Sequence, residues 1–412
     1  MGKSSSWLYH LTRKNVVSAL NMIGAYALSA LALIGALAIF SSENSEVSPQ
    51  VITNFVLIVS LVGGFELGLV KSCLINLNET KSRSFDIAIL VAKVSSKALI
   101  PTVFIFLVWN NLTTELGVLQ RFIFSYCLCL IGILSSELRV IFDNIGLYSS
   151  GIWTKQAGLA IGVFTFLGAI YFGLEPTVAF VAYCLARTFW LALQFYRYTK
   201  IAVRKELILF RDTELFGWRS IFSLSVLAVF SGNIDRILAS YYLDPVTAIN
   251  YFLIYEIFTK YWLVNYLINP IIFVRYAAGS DGLISILSLL KVLGTISIIS
   301  VGTLTLFVSY NPNFFNSVFN ISIGNPYIVA FFMAIAINSV TQSLSAVLQS
   351  RGYAEYLVKI TIIVTLIMGI SSIFAIMEFG VNGLLVTWLI KSLFEAALVA
   401  SLFYRGKYEF SS

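Results

Sequence analysis

An all-helical membrane protein with about twelve transmembrane segments is the fold class this sequence predicts, and three observations predict it. Of the 412 residues, 58% are hydrophobic and 11% charged, whereas a soluble domain is about a quarter charged. The apolar residues fall in runs of about twenty, the length an α-helix needs to cross a hydrocarbon core. The Lys and Arg residues outside those runs sit in alternate loops. A mean hydropathy of +0.88 agrees with all three.

The runs cover 17–40, 51–72, 88–109, 119–141, 148–172 and 177–198, then 218–243, 248–276, 283–310, 327–349, 356–378 and 380–404. Lipid offers backbone N–H and C=O groups no partner, so each run is expected to be a helix. The first, Val16 to Phe40, is too long for the core of a cleavable signal peptide. Pro101 and Pro270 are expected to kink the third and eighth. Gly158 and Gly162 in the fifth, like Gly64 and Gly68 in the second, have the spacing that lets helices approach closely. Aromatic residues near span ends, Trp109, Tyr241, Tyr242, Tyr310 and Tyr327 among them, suit a membrane-interface belt.

Orientation follows from charge. The segments 41–50, 110–118, 173–176, 244–247, 311–326 and 379–382 hold no Lys or Arg, while the alternate loops hold most of the 27 in the chain. Both termini are therefore expected in the cytoplasm. The densest basic interval, 199–217, is read as a cytoplasmic linker between an N-terminal six-helix bundle (1–198) and a C-terminal one (218–412). The halves echo each other. Gly146 and Gly173 frame the fifth segment, and Gly352 and Gly380 frame the eleventh. A lone cation, Arg187 or Lys391, follows near the middle of the last helix of each half. Duplicated halves place a transport site between them.

Seven cations lie inside the spans: Lys97, Arg121, Arg187, Arg236, Lys260, Lys291 and Lys391. Intramembrane charge marks sites and pathways, because it is costly elsewhere. Arg187, Arg236, Lys260 and Lys391, with Lys97 and Lys291, are the candidate lining of a cationic cavity. The competing reading is structural pairing: Glu256–Lys260 and Lys391–Glu395 both have i,i+4 spacing, and Lys97 and Lys291 lie close enough to helix ends to snorkel. Glu66, Asp235 and Glu256 are candidates for coupling to a proton or Na⁺ gradient. The spans hold more cations than anions, which suits an anionic substrate bound through charge-assisted hydrogen bonds.

Other classes are disfavoured. The only histidine is His10, which argues against a Ser-His-Asp triad or a histidine-ligated metal. The four cysteines lack zinc-ligand clustering, and no cofactor is expected. The basic excess is explained by orientation and implies no nucleic acid.

The stretch Asn-Ile-Asp235-Arg236-Ile-Leu, followed by Val-Thr-Ala-Ile-Asn250-Tyr251, resembles the hairpin between helices seven and eight of polysaccharide flippases. These belong to the multidrug/oligosaccharidyl-lipid/polysaccharide exporter superfamily. Asn250 stands where the family usually has glycine. Pro270, the turn Phe379-Gly-Val-Asn-Gly383 and Gly63-Gly64-Phe-Glu-Leu-Gly68 are also similar to its pattern. Twelve spans in about this length are similar to the O-antigen repeat-unit (Wzx-type) flippases. The resemblance implies a V-shaped architecture like that of the MATE transporters, with a cation-lined cavity facing the two sides alternately. It implies an undecaprenyl-diphosphate-linked oligosaccharide as substrate, a bacterial inner membrane as location, and a polysaccharide polymerase and chain-length regulator as partners. Alternatives are a multidrug cation antiporter of the same superfamily and a membrane O-antigen polymerase or ligase. The latter is expected to carry catalytic groups in a large outer loop, and 311–326 contains no charge.

Overall fold

The computed structural model describes residues 13–40, 49–65, 70, 83–112, 117–145, 147–204, 208–210, 218–262, 269, 283–311, 313 and 325–409. In the first half these form α1 (Arg13–Phe40), α2 (Pro49–Gly64), α3 (Ile87–Lys97), α4 (Leu99–Leu112), α5 (Val118–Asn144), α6 (Tyr148–Tyr171) and α7 (Pro176–Arg204). The second half holds α8 (Trp218–Ser231), α9 (Ile234–Tyr242), α10 (Pro245–Thr259), α11 (Leu283–Tyr310), α12 (Asn325–Ser350) and α13 (Ala354–Glu409). The chain is a helical, multi-pass membrane protein of two six-helix bundles arranged as a V. Each of the twelve predicted runs falls at least in part on a described helix, with 66–69 and 71–72 of the second and 263–268 and 270–276 of the eighth outside the described residues. Six described helical segments, with α8 and α9 together counting as one, or seven with the bent pair α3–α4, are long and apolar enough to cross a membrane.

Several runs are broken, and local chemistry explains where. The third bends by 44° between α3 and α4. Pro101 has no N–H for the carbonyl four residues earlier, that of Lys97, and its ring crowds that carbonyl, so α3 ends there. The seventh breaks at Gly232–Asn233, between α8 and α9. The long α13 combines the eleventh and twelfth runs across Gly380, whose φ is 57°. Gly173 and Gly352 likewise have positive φ, 73° and 87°. Each closes a helix: Leu174 N–H donates to Ala169 O, and Tyr353 N–H to Leu348 O. Such left-handed closures favour glycine. Gly146 and Pro270 lie outside the described residues.

Two features depart from the sequence expectation. A short parallel pair, β1 (Arg83–Phe85) and β2 (Ile208–Phe210), joins the basic loop before α3 to the linker, with Ser84 opposite Leu209. In addition, α7 runs on to Arg204, into what was read as linker. Trp109 also departs from the expected interface belt. It is buried, with its ring 4.9 Å from that of Phe180.

Close approach organises the first bundle. A methyl at Gly158 would meet Trp190, and one at Gly162 would meet Arg187 and Tyr183. The halves meet where α1 and α2 pack against α10, with α2 also reaching α8 and α9. Buried Ile52, Phe55, Val56, Ile249 and Phe252 share one core there. Leu185, Phe189 and Ile298 are exposed, as lipid-facing side chains would be.

Two stability predictions follow from these contacts. A side chain at Gly383 would collide with the Ala375 carbonyl, whereas Gly168 faces open space. Gly383→Val should lower the thermal midpoint in detergent and the folded yield, by about 1–3 kcal/mol in stability. Gly168→Ala should leave both unchanged. Asp244 caps α10, accepting from Thr247 N–H at 3.0 Å, and hydrogen bonding from the Thr247 side chain and then from its N–H holds the Asp244 carboxyl below the ordinary value of 3.8. A depressed value stabilises the fold above the unfolded pKa, and that contribution disappears as pH falls through the folded one. Asp244→Ala should cost about 0.5–2 kcal/mol at neutral pH, and acid titration of the variant's thermal midpoint should lack this component.

Candidate functional site

The break in the seventh run is the centre of the site. Ending a helix in mid-bundle strands its last carbonyls, which need partners where water is scarce. Every one of them finds a donor. Gly232 N–H donates to Ala228 O, Asn233 N–H to Phe230 O, and the Asn233 side-chain amide to Val229 O at 2.6 Å. Lys391 Nζ donates to Ser231 O at 3.2 Å, and the Tyr255 hydroxyl to Gly232 O at 2.6 Å. The residue joining the two helices, Asn233, also accepts Ile237 N–H on its carbonyl and Arg236 on its side-chain oxygen.

Charges cluster around this break. Arg236 Nη1 lies 3.1 Å from Glu256 Oε1, and Lys260 Nζ lies 2.6 Å from Glu256 Oε2. The Arg236 guanidinium stands 4.0 Å from the centre of the Tyr255 ring. Asp235, one position away, points elsewhere on the helix. Its Oδ2 accepts from the Tyr251 hydroxyl and from Trp388 Nε1, the latter at 2.9 Å. Its Oδ1 is buried without a hydrogen-bond partner among the described residues. Lys391 lies 3.9 Å from Glu395 and 4.2 Å from the Trp388 ring centre.

Arg187 comes from the other half. It is 3% exposed and forms no salt bridge to a carboxylate among the described residues; Nη1 donates to the Tyr183 hydroxyl at 2.8 Å. Gly162 leaves the space in which its side chain lies.

These groups line one cavity of about 540 Å³ between the halves. Arg187, Arg236, Lys260, Glu256 and Lys391 contribute to it, with Tyr255, Ser231, Gly232 and Asn233 from the broken helix and its neighbour. Its lining runs from mid-helix toward the ends bearing basic loops, through Arg139, Lys155, Gln349 and Leu357. At the opposite helix ends, α10 packs against α1 and α2.

The structure brings four of the six predicted cations together there, along with Glu256. It does not bring Lys97 or Lys291 into the lining. Lys97 is half-buried where α3 breaks, and Lys291 is exposed on α11. Their side chains are turned out of the lining, so depth along the helix did not place them in the shared space. Asp235 is buried behind the lining, and Glu66 lies outside the described residues. Sequence reasoning missed Asn233 and Trp388. The signal for Asn233 was the Gly-Asn step inside an apolar run.

Comparison with solved structures places this geometry in a known fold. The Vibrio cholerae MATE transporter VcmN in its bent form superposes with a TM-score of 0.61, at 8% identity, covering 96% of this chain and 98% of that one. The eukaryotic MATE transporter AtDTX14 gives 0.59 at 13% identity, with 94% of each chain covered. A multidrug resistance MATE family transporter of the MOP superfamily, in an outward-facing conformation, gives 0.53 at 14% identity, covering 99% and 90%. At these identities the likeness establishes the MATE transporter fold. No protein-family model matches the sequence, and no curated protein matches it.

The buried ion pair makes a prediction. Removing one partner of a buried pair leaves a charge without compensation, at about 3–5 kcal/mol. Glu256→Gln should therefore destabilise the protein strongly in detergent unfolding. The double variant Arg236→Met with Glu256→Leu should recover much of that loss. Additive losses would show that the two residues act independently.

Proposed function

We propose that this chain moves an undecaprenyl-diphosphate-linked oligosaccharide across the bacterial inner membrane by alternating access. The observation that carries the reading is Arg187, a buried cation lining the inter-half cavity with Tyr183 as its hydrogen-bond partner. The lining as a whole holds Arg139, Lys155, Arg187, Arg236, Lys260 and Lys391 against Asp143, Glu256 and Glu395. That surplus of cations fits a diphosphate, which a guanidinium engages through paired, charge-assisted hydrogen bonds. Positive-inside orientation would put the open end of the cavity toward the cytoplasm, where lipid-linked sugars are assembled. The diphosphate and sugars would occupy the cavity while the polyprenyl tail stays in lipid, and the product would pass to a polymerase and its chain-length regulator.

Coupling to a proton or Na⁺ gradient fits Asp235 better than Glu256. Glu256 is committed to two cations, whereas Asp235 keeps one buried oxygen without a hydrogen-bond partner among the described residues. A second reading, a multidrug cation antiporter, draws support from the fold shared with MATE transporters.

Arg187→Ala should reduce transport of the lipid-linked repeat unit in proteoliposomes by about tenfold or more, the loss expected for one charged hydrogen-bonding contact. Arg187→Lys should retain part of it. Wild-type transport by the alanine variant, with protein present in the membrane, would overturn the assignment of Arg187. Gradient-driven efflux of a cationic dye by the unaltered protein would establish the antiporter instead.

A further inference from the structure

The cavity has a polar wall that the charge cluster does not use. On α12, Asn338, Gln342, Ser345 and Gln349 all line it. Their spacing places them along one helix face over about 16 Å. None is charged. Polar side chains in a membrane-spanning helix are costly unless they pair or serve a site. Here the Gln342 amide donates to Asn338 Oδ1 at 2.8 Å, and the Asn338 amide reaches Glu395 Oε2 at 3.3 Å. Through Glu395, the row begins beside Lys391 and then runs toward the open end of the cavity.

Beside Arg139, Asp143 and Lys155, the opposing half also contributes uncharged polar groups. Gln156 and Ser29 line the same cavity and are joined by a 2.8 Å hydrogen bond. Ser136 also lines it, 3% exposed, and its hydroxyl has no hydrogen-bond partner among the described residues. Side-chain amides and hydroxyls both donate and accept. A wall of them matches a ligand rich in hydroxyl and acetamido groups rather than one read by charge.

We infer that this face of α12 is a glycan-binding rail, holding the sugar units of the substrate while Arg187 and Lys391 hold the diphosphate. The inference rests on the lipid-linked oligosaccharide reading above. The order along the cavity matches the order along such a molecule. Arg187 and Lys391 lie deep, beside the helix break, and the uncharged face of α12 extends from them toward the mouth, where Arg139 and Lys155 of the first half also line the cavity. The sugar portion then contributes affinity through hydrogen bonds to amides, and salt screens that contribution far less than the ionic contacts.

The test compares two lipids on full-length protein in nanodiscs. One is bare undecaprenyl diphosphate; the other is the lipid-linked repeat unit extracted from the cell that makes the protein. The unaltered protein should prefer the glycan-bearing lipid, and the preference should persist as ionic strength rises. Gln342→Leu and Gln349→Leu should each keep the affinity for bare diphosphate and lose about three- to tenfold of the preference. Arg187→Ala should weaken binding of both lipids.

Full preference retained in both glutamine variants would overturn the rail. So would an equal loss for the two lipids, which would mark a general effect on the fold. Equal binding of the two lipids by the unaltered protein would remove the rail and leave the diphosphate reading intact. Binding of neither would remove both.

Discussion

Much of the second half is arranged around one constraint: a helix that stops in the middle of a membrane-spanning bundle must give its last carbonyls to something. At Gly232–Asn233 that demand is met by Asn233 itself, by the Tyr255 hydroxyl from α10 and by Lys391 from α13. The broken helix, its neighbour α10 and the distant α13 are thus held to one point. Arg236 follows one turn later and needs a counter-charge, which Glu256 supplies from α10. Satisfying the backbone and neutralising the charge therefore draw on the same neighbouring helix.

That arrangement also makes the cavity polar. An unbroken helix would keep its carbonyls to itself and present an apolar face. The broken one places Ser231, Gly232 and Asn233 in the wall between the halves. Discontinuous helices at the interface of a repeat are how membrane transporters expose polar groups at mid-depth without exposing backbone to lipid. The first half contributes Arg187, accommodated by Gly162 and oriented by Tyr183. One half thus supplies a heavily paired cluster and the other a cation with few partners. On the proposed function, such asymmetry lets the substrate supply the missing anion.

Much of this was legible in the sequence. Positions of the spans follow from hydrocarbon thickness, which sets run length irrespective of packing. The kink near Pro101 follows from a missing N–H. Closures at Gly173 and Gly352 follow from repeated turns, since positive φ favours glycine. The i,i+4 pairs Glu256–Lys260 and Lys391–Glu395 form because helical spacing alone brings them near each other. Less legible were Lys97 and Lys291. A charge inside an apolar run reports depth along the helix, whereas a cavity lies to one side of it, and a helix apolar on several faces does not reveal which side.

By itself, the sequence determined a multi-pass helical protein with two echoing halves and a surplus of intramembrane cations, because run length, loop charge and spacing are local quantities. Only the tertiary structure decided which cations share a space. It paired Arg236 with Glu256, twenty residues away, and turned Asp235 toward Tyr251 and Trp388. It brought the uncharged face of α12 opposite Gln156 and Ser136 across one cavity. Those outcomes depend on helix rotation and on contacts between different helices, some of them more than a hundred positions apart. Such contacts leave no periodicity in the chain to be read.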